Sequence, residues 1–436
     1  MKKWLLLVVS VMFLLAGCNS KEANGSNKTT LTVWWWGDQE APGAKKWMEE
    51  TVTKFQEKNP NIKVKTVLQS TDQLIPAFKS AAASQQGPDI QYFWGGIYTL
   101  EEAWQGNIVP MSDYISKDEL SHYINSDERK YDGKVWGASW YLSDNSLAYR
   151  KDVFQKAGLD PANPPKTWEE FLVACEKIKK AGYTPLAAGV KDGWLGGWMW
   201  QLLGKQTLDD KKDLLKVAVG KADFSDTKYS EWLNKLAELK EKGYINTDST
   251  SLDYQQGQEQ FLQGKAGMIF GNDTFYPNWV KQAGEDKIGV AAVPAYGKGK
   301  MADTITVTAQ GMGITSWSEH KKEAAEFIKF MHTKERLDAW YQDTGVFPAD
   351  DRFDASQIKL PQMKQMFEMV KEKPSINLEN FAPSVLEEQA IFPGVQMILS
   401  GEKKPEQVAK EGQQALERWR KENPDALDNF KNWLNK

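Results

Sequence analysis

The chain has 436 residues, with 55 lysine and arginine residues against 59 aspartate and glutamate residues, which gives a formal net charge of −4. Basic and acidic residues are interleaved along the sequence, so we expect no binding to nucleic acid. The chain is longer than one hydrophobic core usually serves, which predicts at least two lobes. Two cysteines and three separated histidines offer neither a disulfide framework nor zinc-ligand spacing, so we expect no metal and no cofactor.

The first segment is predicted to direct the chain out of the cell. Lys2 and Lys3 precede an apolar run over 4–15, which predicts a signal peptide over 1–17. The Leu-Ala-Gly-Cys stretch at 15–18 resembles the lipobox of bacterial lipoproteins. That resemblance implies that Cys18 is lipidated and anchors the chain to the outer face of the cell membrane. Residues 18–30 carry no large apolar side chain, so they are predicted to form a flexible tether.

The folded body begins with alternating strands and helices. The hydrophobic pattern predicts strands over 31–36, 61–68 and 88–94, with helices over 41–60 and 71–87 between them. This order predicts a parallel sheet with helices on both faces. Ligands of such sheets collect at the carboxyl ends of the strands. Further along, Cys175 belongs to an apolar stripe at helical spacing, which predicts a buried and unreactive thiol.

Three consecutive tryptophans occupy the first predicted strand. In a central strand both faces are covered, so Trp34 and Trp35 are predicted to be core or rim residues. Trp36 stands at the carboxyl end of the strand, where a side chain can face a crevice. We therefore expect Trp36 to line a site, and the same argument applies to Trp94, which ends the third predicted strand.

Further aromatic residues cluster in stretches that resemble loops, over 135–145, 191–201 and 271–279. They are interleaved with Asp, Asn, Gln and Gly. Flat aromatic faces stack on the apolar faces of sugar rings, while the polar side chains satisfy hydroxyl groups. The pattern therefore favours a sugar site. For each single tryptophan in these stretches, packing in the core is the alternative interpretation.

Four stretches of the sequence resemble family 1 extracellular solute-binding proteins, the binding components of carbohydrate ABC transporters. Residues 131–171 resemble the family signature, and 87–94, 256–275 and 311–349 agree with it in order. The resemblance implies an α/β, two-lobed periplasmic-binding-protein-like fold of type II, with a ligand cleft between the lobes. It implies three crossovers, near 141–148, 289–294 and 330–334. Lobe 1 is then expected over 31–142 and 291–330, and lobe 2 over 143–290 and 331–436.

The resemblance also implies ligand-binding residues on both lobes. These are Trp36, Asp38, Gln39, Trp94, Trp140, Tyr141, Asp144, Asn272, Asp273 and Phe275. Composition alone adds Trp194 and Trp198 from the glycine-rich stretch at 191–201. The glycine-rich stretch at 303–314 is expected to close the floor of the cleft, which adds Gln310 and Gly311.

The expected function is capture of an oligosaccharide and its delivery to the permease subunits of an ABC importer, which use a separate ATPase. We expect a monomer that contacts the membrane only through its lipid anchor. One alternative is an extracellular glycoside hydrolase, which needs two carboxyl groups at a set separation around one bond. No nucleophile-elbow, zinc-protease or phosphate-loop motif supports an enzyme. Another alternative is a surface adhesin for polysaccharide.

Overall fold

The computed structural model describes residues 28–71, 73–373 and 375–435. The predicted signal peptide, Cys18 and most of the predicted tether lie outside the described residues. The strands are β1 (Thr29–Trp35), β2 (Ile62–Leu68), β3 (Ile90–Phe93), β4 (Ile108–Val109), β5 (Lys130–Tyr131), β6 (Lys134–Val135), β7 (Ala138–Arg150), β8 (Thr184–Ala187), β9 (Ala266–Asn272), β10 (Ile288–Ala291) and β11 (Thr306–Thr315).

Helices cover both lobes. They are α1 (Ala44–Lys58), α2 (Leu74–Ser84), α3 (Gly96–Trp104), α4 (Lys117–Ser121), α5 (Lys151–Lys156), α6 (Trp168–Lys180), α7 (Trp194–Met199), α8 (Lys212–Ala218), α9 (Thr227–Glu241), α10 (Tyr254–Leu262), α11 (Tyr276–Ala283), α12 (Lys321–Met331), α13 (Lys334–Thr344), α14 (Pro361–Glu372), α15 (Ser384–Leu386), α16 (Phe392–Ser400), α17 (Pro405–Glu422) and α18 (Pro424–Asn435). Two π-helical segments, Trp200–Gly204 and Glu387–Ile391, continue α7 and join α15 to α16.

The two lobes share one mixed sheet. Its strands follow the order β2-β1-β3-β11-β7-β9-β8, with β10 paired to β7 and β4 paired to β11. The predicted parallel pairing of the first three strands is confirmed, since β1 is parallel to both β2 and β3. The sheet as a whole is not parallel, because β11 and β7 run antiparallel to their neighbours. The chain crosses between lobes inside these two long strands, so the crossovers are regular β structure.

The beginning of β1 corrects the predicted tether by two residues. Thr29 pairs with Ile62 at the start of β2, and the Thr29 amide donates to Asn61 O over 2.9 Å. Polar threonines are suited to the end of a strand, where one side meets water. Among the described residues, regular structure therefore begins at Thr29, two residues before Leu31.

The two largest cores fill the two halves of this sheet. In the first half, Trp47 stacks on Trp140 with ring centroids 5.5 Å apart and meets the edge of Trp340 at 5.2 Å. In the second half, Cys175 is fully buried on α6, as its apolar stripe predicted. Burial raises the pKa of the Cys175 thiol, so the reactive thiolate is disfavoured.

Helix α13 packs on the first half of the molecule, although the sequence division assigns its residues to lobe 2. The Trp47 indole donates to Arg336 O over 2.8 Å, and Lys46 Nζ lies 2.5 Å from Asp343 Oδ1. These contacts join α13 to α1. Within the described part of the chain, none of the helices is both long and apolar enough to cross a membrane.

Candidate functional site

A cleft of about 750 Å³ lies between the two halves of the molecule, above the strands that connect them. Its lining comes from the turn after β1, from α2 and α3, from β7 and β11, and from α7, α10 and the π-helical segment Glu387–Ile391. Aromatic, amide and carboxyl side chains share this surface. The position at the end of β1 and β3 is the one expected of a ligand site in an open sheet.

Two tryptophans form the aromatic wall on the first half. Trp36 and Trp94 meet edge to face, with ring centroids 6.1 Å apart and an interplanar angle of 88°. The Trp36 indole donates to Thr71 Oγ1 over 3.0 Å, which fixes the ring, and the Thr71 hydroxyl is 3.2 Å from Gln39 Oε1. The wall is therefore held by its own polar contacts before any ligand binds.

The three consecutive tryptophans differ in burial as the strand period requires. Trp35 is 2% exposed in the first core, whereas Trp34 and Trp36 are half-buried on the other face. Of the three, only Trp36 lines the cleft. Trp36 reaches it because β1 ends at Trp35, so that Trp36 stands at the carboxyl end of the sheet.

The second aromatic wall lies on a helix and not on the loop that the sequence suggested. Trp194 and Trp198 are one helical turn apart on α7, with ring centroids 4.8 Å apart. The glycines between them serve close packing: a Cβ at Gly196 would lie 3.1 Å from Val395, and one at Gly197 would overlap the Glu387 carboxyl. Glycine here lets α7 approach the segment that carries Glu387.

Strand β7 presents alternate side chains to the cleft. Ser143 and Asn145 line it, whereas Asp144 lines only a second cavity of about 410 Å³, which Asn145 also borders. The Asn145 side-chain amide donates to Gln201 Oε1 over 3.1 Å. The Asn272 side-chain amide in turn donates to Asn145 Oδ1 over 2.8 Å. Asn272 thus lies outside the cleft lining and holds the Asn145 side chain in position.

Glu40 places a buried carboxyl group at the cleft, in the turn after β1. It accepts hydrogen bonds from the Tyr141 hydroxyl over 3.0 Å and from the Ser143 hydroxyl over 3.2 Å. Removal from water raises the pKa of Glu40 to about 7, and the two hydroxyl donors only partly oppose this effect. Near neutral pH the group therefore exists in both protonation states.

Two more carboxyl groups face the cleft from the C-terminal part of the chain. Glu379 accepts from the Gln201 amide over 3.1 Å and from the Asn377 amide over 3.0 Å. Glu387 accepts from the Tyr98 hydroxyl of α3 over 3.3 Å. Removal from water, with a further contribution from neighbouring carboxylates, raises the pKa of both groups.

The structure brings half of the predicted ligand residues to the cleft. Those that line it are Trp36, Gln39, Trp94, Trp194, Trp198, Phe275 and Gln310. Those that do not are Asp38, Trp140, Tyr141, Asp144, Asn272, Asp273 and Gly311.

The predicted residues outside the lining are held by the protein itself. Asp38 Oδ1 accepts from the Lys45 amide over 2.7 Å at the start of α1. Trp140 fills the first core at a register shift beside Gly311, and Gly311 leaves no space for a Cβ between Ala138 O and Arg129. Tyr141 lies directly behind Glu40.

Asp144 and Asp273 form a buried pair beside the pairing of β7 with β9. The Asp144 amide donates to Asp273 Oδ1 over 2.9 Å, and both residues are at most 1% exposed. Burial raises the pKa of both carboxyl groups, and the neighbouring Asp273 charge adds to the rise at Asp144. Two adjacent buried carboxyls cannot both ionise readily.

Several lining residues escape sequence analysis. Glu40 directly follows Gln39 in the turn, so the position of the turn was a usable signal. Gln201 lies in the stretch that composition had singled out. Glu379 and Glu387 carry no local signal, because they come to the cleft from a part of the chain remote in sequence from its other walls. Among the described residues, histidine, cysteine and carboxylate side chains form no group of three that could hold a metal ion.

Comparison with known proteins agrees with this architecture. A curated multiple sugar-binding protein of Streptococcus mutans is 26% identical over 342 residues, which cover 76% of this chain and 78% of that protein. An sn-glycerol-3-phosphate-binding periplasmic protein of Rhizobium meliloti is 36% identical over 171 residues, covering 37% of this chain and 38% of that protein. A solved chitin oligosaccharide binding protein superposes with a TM-score of 0.80 at 24% identity, covering 90% of this chain and 99% of that chain.

The last of these likenesses establishes the fold: two lobes of a periplasmic-binding-protein type, with the cleft between them. The family described as bacterial extracellular solute-binding protein matches residues 37–336, which is more than half of the chain. The chain belongs to the bacterial extracellular solute-binding proteins.

Proposed function

We propose that the protein captures an oligosaccharide in the cleft and delivers it to the permease of an ABC importer when the lobes close. The observation that carries this proposal is the pair of tryptophan walls, with Trp36 and Trp94 on one lobe and Trp194 and Trp198 on the other. Facing aromatic walls stack on both sides of a sugar chain. The amide and carboxyl groups between them meet hydroxyl groups at the ring edges.

The size of the cleft supports an oligosaccharide over a single sugar. Its volume of about 750 Å³ lies within the range of pockets that enclose drug-sized ligands. Two names among the similar proteins agree with this choice, a multiple sugar-binding protein and a chitin oligosaccharide binding protein, whereas another relative is named for sn-glycerol-3-phosphate.

The lobe division that we propose follows the contacts. Lobe 1 comprises 31–142 and 291–330, and lobe 2 comprises 143–290 and 331–436, with two exceptions. Helix α13 moves with lobe 1, because the Trp47 and Lys46 contacts described above join it to α1. Residues 291–305 move with lobe 2, because their backbone is hydrogen-bonded to Lys166, Gln206 and Leu208. We further propose that the protein acts as a monomer.

A calorimetric screen of oligosaccharides against the purified protein tests the proposal. We expect at least one tetrasaccharide to bind and to raise the melting temperature, since ligand that binds only the folded state stabilises it. Chromatography of the recovered sugar tests the glycoside hydrolase alternative, for which shortened products are expected. An adhesin for polysaccharide would instead bind long polymers and ignore short soluble sugars.

We also propose that Cys18 anchors the protein to the outer face of the cell membrane. The lipobox-like Leu-Ala-Gly-Cys at 15–18 supports this proposal. In cells that express Cys18→Ala, we expect no fatty acid on the chain and loss of normal membrane retention. Equal retention with fatty acid still attached would contradict the anchor. Cys175→Ala is the matched control, because that thiol is buried in lobe 2.

A further inference from the structure

The charge of the cleft lining is strongly one-sided. Six carboxyl groups line it, from Glu40, Asp192, Asp253, Glu379, Glu387 and Glu388. Lys79 is the one basic residue among the described lining residues, and its Nζ lies 3.6 Å from Glu388. A neutral sugar needs acceptors for its hydroxyl groups, but it does not need this excess of negative charge.

The hydrogen-bond donors around the three innermost carboxyl groups are already engaged. The hydroxyls of Tyr141 and Ser143 donate to Glu40, and the amides of Gln201 and Asn377 donate to Glu379. The acidic part of the cleft therefore offers a ligand mainly acceptor atoms, while the amide side chains of Gln39, Gln255 and Gln310 line other parts of it. The acidic part favours a ligand that brings donors, and charged donors bind carboxylates most strongly.

The buried cation behind the cleft does not change this balance for a ligand. Arg129 is fully buried, donates to Ala309 O and packs beneath Gly311. Its largest charge interaction is with Glu128, which is not part of the lining, and it also interacts with the Glu379 charge, which is. Arg129 thus compensates part of the buried negative charge, but a sugar in the cleft cannot reach it.

We propose that the oligosaccharide captured by this cleft is cationic: an amino sugar whose protonated amine lies among Glu40, Glu379 and Glu387. This inference rests on the proposed function and narrows its ligand class. The tryptophan walls suit such a ligand as well, because an ammonium group near an indole face gains a cation–π contact. Glu40 and Glu387 are 4% and 5% exposed, so the ionised form of each, which an ammonium group favours, is little screened by solvent.

Three tetrasaccharides that share one β-1,4 backbone test the proposal. They differ only at C2, which carries a hydroxyl group in cellotetraose, an acetamide in the chitin tetramer and an ammonium in the fully deacetylated chitosan tetramer. We expect calorimetry at pH 6.5 to give at least about tenfold tighter binding of the chitosan tetramer than of the other two.

The pH dependence separates the charge of the protein from that of the ligand. The ionisable groups that face the three carboxyls are Tyr92, Tyr98, Glu128, Arg129, Tyr141, Asp273 and Glu388, with Lys79 beside Glu388. Lowering the pH from 6.5 to 5 increases protonation of the amine, yet we expect weaker binding because the carboxyl groups lose charge. Binding at pH 6.5 should also release protons, measured as a binding enthalpy that depends on the buffer.

Isosteric variants locate the charge. We expect Glu387→Gln and Glu379→Gln each to lower the affinity for the chitosan tetramer about tenfold. The affinity for cellotetraose, if it binds, should stay the same or increase. Glu102→Gln is the matched control: Glu102 is a buried carboxyl on α3, accepts from Asn107 and lies outside the lining.

Equal or tighter binding of cellotetraose, or no binding of the chitosan tetramer at 1 mM, would overturn the cationic ligand. If a neutral sugar from the wider screen then binds, the proposed function stands without it. If no sugar binds at all, the proposed function fails as well.

Discussion

At the scale of single residues, Trp35 and Trp36 are neighbours in sequence but belong to the core and the cleft respectively. Trp36→Ala removes a half-buried stacking face, so we expect affinity for the best oligosaccharide to fall about ten- to a hundredfold with a small change in melting temperature. Trp35→Ala empties a packed site and should cost roughly 3–5 kcal/mol of stability. Calorimetry and thermal melts of both variants check this. Normal binding by a poorly stable Trp36→Ala protein would assign Trp36 to the core.

The Glu40 carboxyl group makes stability depend on pH. Burial raises the pKa of Glu40 from 4.5 to about 7, so the folded state holds its proton more tightly than the unfolded chain. The stabilisation is complete below pH about 4.5 and is lost as the pH rises through 7. Glu40→Gln keeps an acceptor for Tyr141 without ionising. We expect urea titrations to show that this variant loses less stability between pH 4.5 and 8, by on the order of 2 kcal/mol.

The outcome at single residues shows what the sequence can predict of the site. Position at the end of a strand predicted Trp36 and Trp94 correctly as cleft-lining residues, because strand ends gather at one edge of a sheet. The family resemblance also placed Trp140 and Asp144 at the ligand, whereas in the structure both side chains are buried outside the cleft lining. Glu40 was missed because a carboxylate after a turn usually faces solvent.

At the scale of elements, the early strands and helices were predictable and α7 was not. Apolar periodicity places α1, β2 and α2 within a few residues of their observed bounds. The glycines of α7 indicated a loop, since glycine weakens an isolated helix. Tertiary contact outweighs that preference here: Gly197 lets α7 approach the Glu387 segment, and both elements contain π-helical turns, which frequently occur at functional sites.

Helix α15 and its π-helical extension hold the two lobes together across the cleft rim. The Ser384 hydroxyl and amide donate to the half-buried Glu101 carboxyl of α3, over 2.7 and 3.1 Å. Neither residue lines the cleft. Ser384→Ala should therefore weaken sugar binding about fivefold by destabilising the closed form, as expected for a loss of roughly 1 kcal/mol.

Calorimetry on Ser384→Ala measures this effect, with Ser230→Ala as the control. Ser230 donates only to backbone oxygens at the start of α9, within one lobe. An affinity equal to that of the wild type would mean that the contact between Ser384 and Glu101 exists equally in the open form.

At the scale of the whole molecule, length and the resemblance of four stretches predicted the two-lobed fold. The individual contacts between the lobes could not be predicted from local sequence patterns. The described residues after Lys373 form no strand, and the sequence offers no motif there. Asn380 Oδ1 nevertheless accepts from the Gly96 amide over 2.7 Å, which ties the two lobes together. Such contacts join segments that are far apart in sequence. The hydrophobic periodicity of one helix shows which of its faces is buried, but not which distant segment packs against that face.

The described conformation predicts a measurable closure on binding. Its lobes are joined across the cleft by the contacts of Asn380 with Gly96, Tyr98 with Glu387, and Lys79 with Glu388. These contacts span the two lobes, so we expect them to break when the lobes open to admit a sugar and to form again when the lobes close on it. We expect saturating oligosaccharide to decrease the radius of gyration measured by X-ray scattering.

The double variant Trp36→Ala and Trp198→Ala, which lacks one ring on each wall, should show no compaction at the same sugar concentration. Identical scattering from the wild type with and without bound sugar would instead indicate a rigid, lectin-like site, and delivery by lobe closure would be wrong.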